Sequence, residues 1–329
     1  MNVILFNTAC IFKNNEIILY GQYRNIFNNV NILINDDKNY EVTIHFCNNR
    51  PDFFIKIKDQ IKPNYAIKHF AFHYKDGNTD TFTDLRLDFP FENCKLNLNK
   101  STSAIISTMC KDYSHRLDEW IQYNLKLGFS GIVIFNNTQN TGKLNESTEN
   151  CIMVSSIEEI ANKYPDKVLL INYPFLHFVG SVYDTIQRVA LSIAVNAFMH
   201  KCTYISLIDA DEFIYLPKNP NMHIEQFLQK YNNTITMQSN ILTNNNNHDI
   251  IMNNIIQIAK FVGENKYTKT ILNTNMIKEN EFIVSPHDHP RQLLLDKNTI
   301  IHYHCWINAR CEYSQSMPPF NGLQTFFNS

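Results

Sequence analysis

Asp209-Ala210-Asp211-Glu212 brings three carboxylates into four consecutive positions, directly after the apolar run Tyr204 to Ile208. Carboxylates that close raise one another's pKa unless a cation stands between them. A divalent ion, Mg²⁺ or Mn²⁺, resolves the repulsion through oxygen ligands and keeps coordination positions open for a diphosphate. As a Lewis acid on a leaving phosphate it would contribute on the order of several kcal/mol in the transition state. A solvated turn or the first turn of a helix also favours Asp and Glu. Both readings stand on spacing alone, and the position behind a buried strand weighs toward metal.

Other residues could serve the same chemistry. His287, His289, His302 and His304 lie close together, and a neutral imidazole is a suitable partner for two carboxylates. The alternation in Ile300-Ile301-His302-Tyr303-His304 sends both histidines to one face of a strand. Lys269, with Lys266 beside it, offers the compact positive charge that suits a developing phosphate anion. A carboxylate or imidazole could also act as a general base; Asp249 is preferred, with Glu264, Asp288 and His248 also conceivable.

The elements that position these groups follow from hydrophobic periodicity. Residues 1 to 100 show short alternating runs around Glu16 to Tyr20, Val30 to Ile34, Tyr40 to Phe46 and Asp84 to Phe89, each bounded by Asn, Asp, Gly or Pro, and so predict a small antiparallel β domain. The polar stretch Asn97 to Ser103 marks the boundary, and residues 101 to 329 form the second domain. There, Ala104 to Thr108, Ile132 to Phe135, Val168 to Asn172 and Tyr204 to Ile208 read as buried strands. They alternate with helices at Leu117 to Leu125, Ile157 to Tyr164 and Ile186 to Ala197, the first ending at Gly128. That order predicts an α/β domain with a mostly parallel, Rossmann-like sheet covered on both faces, whose ligands bind at the carboxyl ends of the strands.

Composition narrows the partners. With 29 Lys+Arg against 31 Asp+Glu the formal net charge is -2, so no clustered positive excess exists for nucleic acid or an anionic membrane. No run approaches the roughly 20 apolar residues of a membrane span, and Val3 to Phe12 reads as a first strand rather than a signal peptide. Eight cysteines without a CxxC pair read as reduced and buried. Asn and Ile, used at the expense of Gly and Ala, suggest AT-rich coding DNA of the kind found in large DNA viruses and some protists. The expected compartment is the cytoplasm, the host's if the chain is viral.

Three blocks in order carry a resemblance. Ile205-Ser206-Leu207-Ile208-Asp209-Ala210-Asp211-Glu212-Phe213-Ile214 resembles the DxD signature of GT-A glycosyltransferases, nearest to glycosyltransferase family 92 and its family-2-like relatives. Met109 to Tyr123, continuing through Leu127-Gly128 and Ile132 to Asn137, is similar to that group's first βαβ block. Lys266 to Leu272, followed by His287-Asp288-His289-Pro290 and Ile301-His302-Tyr303-His304, is similar to its closing elements. The resemblance spans about residues 104 to 313 and departs from the group at Asn124, Asn136 and Gln238 to His248.

By this resemblance the metal sits on Asp209 and Asp211, with Asp211 binding it directly and Asp209 reaching the donor ribose or a metal-bound water, and a C-terminal histidine, His289 by preference and His287 next, supplies a third ligand. Glu212 orients the loop. Thr108, Lys111 and Asn136 line the nucleotide side, and Lys269 meets the diphosphate. The implied function is a metal-dependent, inverting transfer of a sugar from a nucleotide-sugar donor, expected to be UDP-linked, to a glycan or other hydroxyl acceptor. Two rivals stand beside it: a GT-A-like binding protein without turnover, which the departures keep open, and a DxD phosphatase or phosphotransferase, against which Glu212 and Phe213 argue.

Overall fold

The computed structural model describes residues 3–11, 17–23, 27–34, 38–39, 42–47, 52–57, 66–74, 76–86, 94–110, 114–138, 156–173, 183–243, 260–278, 283, 285–287, 289, 291–306 and 320–329. It is a mixed α/β protein in two compact units. One comprises Met1–Cys94, Phe175–His200 and Lys278–Val284; the other comprises Lys95–Pro174, Lys201–Ile277 and Ser285–Ser329.

The strands of the first unit are β1 (Val3–Ile11), β2 (Ile17–Tyr23), β3 (Phe27–Ile34), β4 (Lys38–Asn39), β5 (Val42–Phe46), β6 (Asp52–Ile57), β7 (Ala66–Tyr74) and β8 (Thr79–Arg86). They pair antiparallel into two four-stranded sheets, ordered β1-β2-β6-β5 and β4-β3-β7-β8. Tyr20, Phe53, Phe54, Ile55 and Phe72 are buried at 0–1% exposure; Phe53 packs on Phe72 from one face of β6 and Phe54 on Tyr20 from the other.

In the second unit, β9 (Ala104–Cys110), α1 (Ser114–Leu127), β10 (Gly131–Asn136), α2 (Ile157–Ala161) and β11 (Val168–Asn172) follow one another as the periodicity predicts. Every residue of β9 and β10 is buried, which is why these strands read as continuous apolar runs. α1 stops in a Schellman motif: Gly128 at φ 99° donates to the Leu125 carbonyl (3.1 Å) and Phe129 to that of Asn124 (3.2 Å). A Cβ at Gly128 would also stand 2.9 Å from that of His223, so both conformation and space require glycine.

The next helix, α3 (Tyr183–Phe198), departs from the expected arrangement. Although it lies in sequence between β11 and the strand leading to the acidic loop, it belongs to the first unit and packs on β1 and β2. A polar stripe explains its choice of partner. Arg188, Ser192 and Asn196 recur every fourth residue on one face. Arg188 pairs with Asp52 (3.2 Å), Asn196 donates to the Tyr20 hydroxyl (2.7 Å), and that hydroxyl reaches the Ser192 carbonyl (3.5 Å).

The chain continues through β12 (Tyr204–Leu207), β13 (Glu212–Tyr215), α4 (Ile224–Leu228), β14 (Thr234–Thr243), β15 (Lys260–Asn273), β16 (Gln292–Leu294), β17 (Ile301–Trp306) and α5 (Gly322–Asn328). Their sheet runs β11-β10-β9-β12-β15-β14-β17-β13, with β16 beside β14. Its β11, β10, β9 and β12 portion is parallel; β15 runs antiparallel to β12 and β14, and β17 antiparallel to β13. Trp120 and Tyr123 bind α1 to β13, donating to the carbonyls of Glu212 (2.9 Å) and Ile214 (2.7 Å). Among the described residues no helix is long and apolar enough to cross a membrane.

Candidate functional site

The acidic loop is the turn between β12 and β13. The Glu212 amide donates to the Asp209 carbonyl (3.1 Å), closing the turn, and the Glu212 carboxylate accepts the Asp209 amide (3.1 Å). Glu212 therefore holds the loop from within, at 2% exposure, whereas the side chains of Asp209 and Asp211 are 35% and 26% exposed.

Two neighbouring strands bring cations to this turn. β15 pairs with β12 through Leu207 and Thr270, so Lys269 arrives just past the end of β12. Its ammonium lies 2.6 Å from Asp209 Oδ2 and 3.2 Å from Glu212 Oε2, with a side chain only 3% exposed. Burial would lower the Lys269 pKa, but the two carboxylates outweigh it and raise the pKa above the ordinary lysine value. The cation required between the carboxylates is thus supplied by the chain itself.

β17 pairs with β13 through His304 and Glu212. His304 Nε2 lies 3.0 Å from Asp211 Oδ2, and His302 Nδ1 lies 3.8 Å from Glu212 Oε1. Both histidines face the acids. Burial lowers the His304 pKa, but the hydrogen bond and charge of Asp211, with Glu212 and Asp209, outweigh it and raise the value overall. His302 goes the other way, pushed well down by burial and by the charge of Lys269. Glu212 is raised to about 7 by burial, against the attraction of Lys269 and with the repulsion of Asp209.

Asp211 and His304, which share a hydrogen bond, are the two donors here that could hold a divalent ion. Donors at 3.0 Å match adjacent corners of an octahedron with bonds near 2.1 Å, and two protein donors leave positions for water or phosphate oxygens. Among the described residues no group of three or more His, Cys, Asp or Glu side chains is arranged to hold a metal. Asp209, expected at the metal, instead meets the Lys269 ammonium at 2.6 Å.

The other expected site residues are placed as follows. His289 is 6% exposed and its Nδ1 accepts the Arg291 amide (3.3 Å); the histidine brought to Asp211 is His304. Thr108 is fully buried within β9. Asn136 donates to Glu158 (2.6 Å) and accepts the Thr138 amide (3.0 Å), so both ends of its amide are engaged locally. His287 Nδ1 meets the Thr268 carbonyl at 2.6 Å, and Glu264 is exposed and paired with Lys297. Lys111 and Asp249, with His248 and Asp288, lie outside the described residues.

The role of His304 was within reach of sequence reasoning, because its alternation with His302 set both on one strand face, but nothing in the sequence identified β13 as the neighbour of that strand. Arg116, 2% exposed on α1, gave no sequence signal at all. Compared with known proteins, the chain matches no protein-family model and no curated protein.

Proposed function

We propose that the chain is a metal-dependent glycosyltransferase moving a sugar from a nucleotide-sugar donor, expected to be UDP-linked, to a hydroxyl of a glycan or other acceptor, with inversion. One observation carries this reading. At the carboxyl end of β12, where α/β sheets hold their ligands, one carboxylate is neutralised by Lys269 and a second is half of an Asp211–His304 donor pair 3.0 Å apart. The order of the resembling sequence blocks agrees with it.

Asp211 and His304 would hold the ion, which when bound supplies Lewis-acid neutralisation of the leaving phosphate. Lys269 fixes Asp209 and Glu212 and so sets the shape of the loop. Glu212 accepts the Asp209 amide and so holds Asp209 at the mouth of the turn. Asp249 is the proposed general base toward the acceptor hydroxyl.

A nucleotide-sugar-binding protein without turnover is the second reading, favoured by Asn136, whose amide is committed to Glu158 and Thr138. Thermal unfolding against a panel of nucleotide sugars, with and without Mn²⁺, followed by assay of donor hydrolysis, separates the two. A donor at 100 times its Kd adds about 2.7 kcal/mol of stability. The Mn²⁺-dependent part should vanish in Asp211→Ala. If no nucleotide sugar stabilises the protein and Asp211→Ala changes nothing, the transferase reading is wrong; binding without hydrolysis selects the second.

A further inference from the structure

We infer that Arg116 and the first turn of α1 form an oxyanion site that takes a phosphate group of the ligand. The nucleotide identity of that ligand rests on the proposed function; the site itself does not. Arg116 is 2% exposed, and among the described residues neither of its terminal nitrogens has a hydrogen-bond partner. A guanidinium is always charged and carries a planar fork of donors matched to two oxygens of a phosphate or carboxylate. Buried without an acceptor, it is costly to hold.

Its location says what would answer it. Trp120 and Tyr123 contact β13 at Glu212 and Ile214, so moving toward the start of α1 moves back along β13 toward Asp211. Arg116 lies one turn before Trp120 on that face. The Cys305 amide donates to the Asp211 carbonyl at 2.9 Å, and burial, with the charge of Asp211 and against that of Arg116, pushes its thiol up.

Helical side chains lean toward the N-terminus, which carries Arg116 toward the first turn of α1, whose amides have no partner within the helix. That turn of a 14-residue helix contains no acidic residue and carries the helix's partial positive charge. Lys269, by contrast, is already engaged by two carboxylates and has little left for a phosphate. The charge that meets an anionic ligand here is therefore Arg116.

The test is thermal unfolding of the full chain in chloride buffer with EDTA, titrated with inorganic phosphate and pyrophosphate. Wild type should show a saturable rise in Tm. Arg116→Met, which keeps the stem and removes the charge, should lose that rise while its Tm without the ion is no lower than wild type. Arg116→Lys should bind roughly 10- to 100-fold more weakly, since it loses a charge-assisted, two-point contact. A wild type blind to both ions, or an Arg116→Met protein that responds equally, overturns the site. If wild type responds to pyrophosphate but to no nucleotide sugar, the site stands and the transferase reading falls; if nucleotide sugars with Mn²⁺ bind wild type and Arg116→Met equally, the reverse holds.

Discussion

Arg188 in the first unit and Lys269 in the second are both all but excluded from solvent, and each touches a carboxylate, at 3.2 and 2.6 Å. Arg188 faces Asp52, 0% exposed, whose other oxygen takes the Gln22 amide at 3.4 Å. Lys269 faces two carboxylates, with Asp211 beside them, and Asp209 keeps 35% of its side chain in solvent. A sealed pair, Arg188 on Asp52, fixes which helix face meets which sheet. A cluster with an open side, in which Lys269 meets Asp209 and Glu212 and His304 meets Asp211, keeps carboxylate in contact with solvent, and that is the condition for holding a further cation or a ligand that brings one.

The largest effect should come from breaking the sealed pair. Arg188→Met leaves Asp52 buried without its cation and should cost about 3–5 kcal/mol in urea unfolding. Replacing both partners, Asp52→Leu with Arg188→Met, should recover most of that loss, since a buried pair exchanged for apolar groups is often neutral. A double variant as unstable as the single one would mean that the pair contributes energy rather than specificity.

Lys269→Met should cost less, about 1–3 kcal/mol, although this ion pair is the shorter. Asp209 can turn to water, and Glu212 can take up a proton because burial already raises it to about 7. Under the proposed function the variant should keep its fold and lose donor hydrolysis. A stability loss larger than that of Arg188→Met would erase the distinction between sealed and open clusters.

How far the sequence reached can be judged on these same residues. Buried strands β9, β10 and β12 were legible because strands covered on both faces read as near-continuous apolar runs, and Gly128 because a helix end at positive φ selects glycine. The acidic loop was legible as carboxylates behind a strand, but its cation was not. Lys269 lies 60 positions away and meets Asp209 only through the β12–β15 register, on a strand, KFVGENKYTKTILN, too polar to announce itself. The same limit misplaced α3. Its apolar spacing predicted a helix correctly, while Arg188, Ser192 and Asn196 selected the partner, and their complements Asp52 and Tyr20 come from another part of the chain.

A pH series tests the open cluster without mutating its lysine. Glu212 is raised from 4.5 to about 7 in the folded chain, so between those values the folded state binds more protons than the unfolded one. Stability should therefore fall as pH rises from about 4.5 to 7, with a slope from this group of at most about 1.4 kcal/mol per pH unit. Measured in EDTA, Glu212→Gln should remove that slope. An unchanged slope would show that Lys269 keeps Glu212 ionised throughout the window.

The smallest effect is expected where a pair is open and balanced, at Asp118 on α1. Its carboxylate accepts hydrogen bonds from Lys163 (2.8 Å) and the Tyr164 hydroxyl, and it is 27% exposed while Lys163 is 50% exposed. Burial would raise its pKa, but the bonds from Lys163 and Tyr164 outweigh it and leave the value lowered. A depressed carboxylate contributes stability that is present above its unfolded pKa and lost as pH falls through the folded one, the opposite sign to Glu212. Asp118→Asn should cost about 0.2–1 kcal/mol at pH 7 and should flatten stability only on the acid side of the unfolded value, near 3.8. Because water screens this pair, raising the salt should shrink its contribution while leaving the Arg188→Met loss unchanged. Equal salt sensitivity in the two variants would mean that water reaches Asp52 as well, and the sealed pair would have to be read as an open one.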